Sequence, residues 1–155
     1  MRSLMLTPIF LILPLLTGCQ TDTAYHTYRS TGSDGWRAED TLVFRLPSTL
    51  TSSRYTFQIG VKHTGVYPYK DLWVTLLRPG TEEAQRDTFH LHLADEKGNW
   101  KGKGTQSSSF QFVSEAYTLT LEDPDTLLRI VHLMDTVRLK GITDVGVRLA
   151  NRQEK

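Results

Sequence analysis

The chain has 155 residues, with 18 basic and 17 acidic side chains and a formal net charge of +1. That balance excludes a surface built to neutralise phosphates, so no nucleic-acid partner is expected, and no acidic run suggests a cation-buffering tail. At 39% hydrophobic and 10% aromatic content it carries apolar surface for one folded domain, which excludes a wholly disordered chain.

Met1-Arg2 makes a short positive start, and Leu4 to Leu16 is almost wholly apolar, broken by Pro8 and Pro14. A run of about 13 residues is too short to span a bilayer as a permanent helix and reads as the core of a signal peptide. It ends in Leu16-Thr17-Gly18-Cys19, which resembles the lipobox of bacterial lipoproteins, where the thiol receives a diacylglycerol and the peptidase cuts just before the cysteine. Cys19 is the single cysteine, so an internal disulfide is excluded even in an exported protein. Two or three acyl chains at ~0.8 kcal/mol per buried methylene make attachment effectively permanent. Residues 1–18 are therefore expected to be a cleaved signal, Cys19 the lipidation site, and the mature protein membrane-anchored without spanning. Gln20 is not the aspartate that retains many lipoproteins at the inner membrane, which points to the outer one.

Residues 19–40, rich in Thr, Ser, Gly and Asp, have the composition of a tether. From 41 to 151 the hydrophobic period is two, and 152–155 is a polar tail. Leu42, Phe44 and Leu46 alternate with Val43 and Arg45; Tyr55, Phe57, Ile59 and Val61 alternate with Thr56, Gln58, Gly60 and Lys62. Leu72, Val74 and Leu76 share a face with Trp73 opposite, and Pro79-Gly80 supplies a turn. Phe89, Leu91 and Leu93 follow, with His90 and His92 pointing the other way; Phe110 and Phe112, then Tyr117, Leu119 and Leu121, give two more strands, and Val145, Val147 and Leu149 the last. Between them, Asp123-Pro124-Asp125-Thr126 is able to cap a helix over 126–135, but Leu128, Ile130, His132 and Met134 also share a strand face, and the alternating neighbourhood favours strand. Eight short strands without a sustained helical period predict an all-β antiparallel sandwich or jelly roll. The 15-residue stretch from Asp95 to Ser109, with Gly98, Gly102 and Gly104, is expected to be a long functional or mobile loop.

His90-Leu91-His92 places two imidazoles on one strand face, and Glu96 completes His-x-His-x-x-x-Glu, similar to the first half of a cupin metal motif. No second half is found around His132, so a metal-dependent enzyme is the weakest of three readings and neither metal nor other cofactor is expected. There is no Gly-x-Ser-x-Gly elbow, no twelve-residue calcium loop around Asp95, Glu96 and Asn99, and no strand–turn–helix context for a phosphate loop at 98–104. A catalytic role is not expected. The aromatics Trp36, Tyr67, Tyr69, Trp73 and Trp100 are the candidate contacts for a protein partner or a sugar ring.

The mature chain resembles the GldH family of gliding-motility lipoproteins of Bacteroidetes over nearly its whole length. The resemblance is carried by Tyr25-His26, Gly35-Trp36 and Asp40-Thr41-Leu42-Val43-Phe44, by Tyr67-Pro68-Tyr69-Lys70-Asp71-Leu72-Trp73, and by the stretch from Leu93 to Gly104, similar to Asp-x-x-Gly-x-Trp-x-Gly-x-Gly. The segment Leu139 to Leu149 matches as well. Asp71 stands where the family usually has asparagine, and His132-Leu133-Met134-Asp135 where Gln-x-Met-Arg is expected, so the partner surface would differ there if it includes these positions. The resemblance implies a lipid-anchored, non-enzymatic accessory or scaffold linked with gliding and type IX secretion, with protein partners in the cell envelope. A carbohydrate-binding surface lipoprotein is the alternative.

Overall fold

The computed structural model describes residues 22–78, 85–105, 108–122 and 127–152. Among them are twelve strands: β1 (Thr23–Ser30), β2 (Trp36–Arg37), β3 (Leu42–Arg45), β4 (Arg54–Thr64), β5 (Asp71–Arg78), β6 (Gln85–His92), β7 (Lys103–Thr105), β8 (Ser109–Val113), β9 (Tyr117–Thr120), β10 (Leu127–His132), β11 (Arg138–Leu139) and β12 (Ile142–Asn151). Every pairing is antiparallel. One sheet runs β1-β12-β4-β8-β7 with β9 also on β4, a second runs β3-β10-β5-β6, and β2 with β11 makes a small third. No helix among the described residues is long and apolar enough to cross a membrane.

Period-two patterning explains the two large sheets directly. Phe57, Ile59 and Val61 of β4 stand opposite Leu149, Val147 and Val145 of β12, and all six are fully buried. From the second sheet, Phe44, Leu72, Val74, Leu76, Leu91, Leu128 and Ile130 enter the same core. Each such side chain removed from water stabilises the fold by about 1.5–3 kcal/mol before entropy is counted. The result is a sandwich whose outer faces carry the polar alternates. Each of the eight expected strands is present. The segment that also suited a helix is strand β10, with Leu128, Ile130 and His132 buried and β3 and β5 on either side. Asp123, Pro124, Asp125 and Thr126, like Pro79 and Gly80, lie outside the described residues.

Two expectations are corrected. Residues 23–30 are not tether: they form β1, paired with β12 from Thr23 to Ser30. This strand has no fully buried residue and no aliphatic stripe, because it is an edge strand covering the sheet with ring surface and hydrogen bonds instead. Trp36, also placed in the tether, is in β2, where it faces Leu139 across the small sheet; both are fully buried and belong to the core. The second correction concerns the stretch from Asp95 onward, which is folded back on itself. Ala94 bridges Trp100, Lys101 N–H donates to the Leu93 carbonyl at 2.7 Å, and β7 pairs with β8. Asp95 Oδ1 accepts from the Lys97 and Asn99 amides at 2.9 and 2.8 Å. Gly102 has φ 97°, and a Cβ there would strike the Gln111 carbonyl, so the turn admits only glycine without strain.

Candidate functional site

The five aromatics divide into two groups. Trp36 is fully buried, donates its indole N–H to the Asp40 carbonyl at 3.0 Å and meets His132 edge-on. Tyr67 is 2% exposed and its hydroxyl donates to the Asp71 carbonyl at 2.8 Å. Both bury an apolar body and tie a polar tip to backbone, so neither is a surface contact as expected. Trp100 is partly buried, 4.6 Å from the His63 ring, and packs with Tyr67 and Phe110 around that fully buried histidine. Tyr69 and Trp73, each 41% exposed, remain on the surface.

Trp73 belongs to a cluster that strand register builds. β5 and β6 pair so that Asp71 faces His92 and Trp73 faces His90. All four project from the outer face, opposite the buried Leu72 and Leu91. The Trp73 and His90 rings stack at 3.9 Å with planes 9° apart. His92 Nδ1 donates to Asp71 Oδ1 at 2.7 Å, and His90 Nε2 lies 3.3 Å from the same oxygen. The two imidazole centroids are 4.0 Å apart. Beside Trp73, its amide approaches Met134 Sδ at 3.4 Å and its carbonyl accepts from the Leu133 amide at 2.9 Å, which sets the half-exposed Leu133 alongside.

The histidine pair stands at i and i+2 on one strand face as the sequence predicts, but the carboxylate beside it is not Glu96. Glu96 sits exposed in the turn after β6 and is not part of the cluster; Asp71, from the neighbouring strand, is. Its signal was cross-strand pairing between residues 21 apart in sequence, which needs the register of β5 and β6. His132, expected at a position where the partner surface would differ, is buried instead. Burial lowers the pKa of both His132 and His63 below the ordinary imidazole value, with backbone interactions at Trp36 and Thr64 opposing the shift.

A family model described as GldH lipoprotein matches residues 23–149. The chain belongs to the GldH lipoprotein family. As a GldH lipoprotein it is a gliding-motility protein of the lipid-anchored envelope class, from a family not known as enzymes. The GldH match begins at the first residue of β1, so the family unit includes the edge strand as well as the aliphatic strands. No curated protein and no solved structure matches the chain.

Proposed function

We propose that this GldH protein is a non-enzymatic accessory or scaffold of the gliding and type IX secretion machinery, anchored through Cys19 and presenting the outer face of β5 and β6 to a protein partner. The observation that carries the reading is the exposed, ring-stacked Trp73 beside Leu133. A tryptophan held in one orientation by His90 loses little side-chain freedom on binding, the property of an interface anchor. The lipid concentrates that face at a membrane surface, where a modest contact becomes an effective one. The outer membrane is the proposed location, on the strength of Gln20.

In-cell crosslinking and capture test this. The anchored protein should recover envelope gliding or secretion proteins, and both Cys19→Ser and Trp73→Ala should reduce recovery. Capture unchanged in Trp73→Ala would remove this face from the proposal. The carbohydrate reading rests on the same indole, whose second face is free of His90 and suits a sugar ring. It predicts a shift of tryptophan emission on adding envelope polysaccharide, lost in Trp73→Phe; constant emission across a glycan panel would exclude it.

A further inference from the structure

We propose that Asp71, His90 and His92 form a surface binding site for a divalent transition-metal ion, zinc being the ion that the donor set suits. One ligand atom from each of the three side chains lies within 4.8 Å of the others, and the grouping is held by sheet pairing and not by a loop. In a tetrahedral zinc site with bonds near 2.0–2.1 Å, ligand atoms stand about 3.3 Å apart. The His90 Nε2 to Asp71 Oδ1 distance is 3.3 Å. That contact is within ion-pair distance, but His90 Nε2 is shielded from solvent and makes no hydrogen bond. An ion seated between the three groups would give that nitrogen the partner it lacks. His92 Nδ1 would exchange its proton, now donated to Asp71 at 2.7 Å, for the metal.

Two imidazoles and one carboxylate select against magnesium and calcium, which take oxygen donors, and favour zinc and its neighbours. The stack of Trp73 on His90 fixes the ring plane, as an outer-shell partner does for a metal-bound histidine. Three protein ligands on an exposed face leave an outward position for water or for a side chain of another protein. Lys101 and Glu115 line a groove to which both histidines also contribute. The inference stands on the cluster's geometry and does not depend on the accessory role.

The test is titration of the full chain, purified in detergent, with Zn²⁺ and separately with Co²⁺. One ion per chain is expected, with Co²⁺ giving the visible absorption of a low-coordinate site and quenching tryptophan emission through Trp73. His90→Ala and His92→Ala should each weaken zinc binding by about tenfold or more, whereas His26→Ala should leave it unchanged. Absence of saturable one-to-one uptake would overturn the proposal. So would undiminished uptake in the His90→Ala/His92→Ala double variant with the parent's unfolding midpoint. If that variant does not fold, Asp71→Asn, which preserves shape, decides: unchanged zinc affinity there overturns the site.

Discussion

The ring of Tyr28 lies directly over Gly146, its register partner across β1 and β12, and reaches on to Gly60 of β4 in the same cross-strand row. A Cβ at Gly146 would fall 2.7 Å from Tyr28 Cε1. The Tyr28 hydroxyl accepts from Gln111 Nε2 at 3.1 Å, and Lys62 Nζ stands 4.6 Å from the ring centroid. The glycines make the trough that lets an otherwise polar edge strand cover the sheet. Gly146→Ala should therefore cost about 1–3 kcal/mol by forcing the ring out. In a Tyr28→Ala background the same substitution should be close to neutral. Chemical denaturation of the four proteins of this cycle checks the coupling, and additive effects would contradict it.

Trp100 and Trp73 should separate stability from recognition. Trp100 packs among His63, Tyr67 and Phe110, so Trp100→Ala should destabilise by about 3 kcal/mol, the lower end for a large aromatic that is only partly enclosed. Trp73→Ala removes an exposed ring and should change stability by less than about 1 kcal/mol. Thermal unfolding of the two variants measures both, and equal losses would place Trp73 in the core.

Acid should weaken the fold through two buried histidines. His63 and His132 are 0% and 5% exposed, and burial holds both below the ordinary pKa of 6.5. Between its lowered folded value and 6.5, each binds its proton more readily in the unfolded chain. Their contribution is thus complete above the unfolded pKa and is lost as pH falls through the folded one. The slope is at most about 1.4 kcal/mol per pH unit for each histidine. Unfolding midpoints measured from about pH 7.5 to about pH 5 should decline, with a shallower decline in His132→Gln. A flat profile would show that neither ring is held neutral.

Cys19→Ser should move the protein from the membrane to the soluble fraction of the envelope. The matched family unit starts at Thr23 and the core contains no thiol, so the unfolding midpoint should stay that of the parent. Fractionation and calorimetry together test this; a protein that leaves the membrane and also loses its transition would mean that the anchor stabilises the fold.

The sequence by itself determined the inward faces of the aliphatic strands. Alternation marks which of Phe57, Ile59, Val61, Val145, Val147 and Leu149 face inward, because the strand period is set by the backbone and not by the partner. Gly98 and Gly102 take positive φ in the turn that replaces the expected long loop. Tertiary structure decided what depends on a neighbour. β1 lacks an aliphatic stripe, and its place at the sheet edge comes from two glycines far along the chain. Trp36 and Tyr67, expected as surface contacts, are buried, with the carbonyls of Asp40 and Asp71 accepting from their polar tips. Asp71 joined His90 and His92 through the register of two strands, where a shift of one residue would have sent its carboxylate to the opposite face.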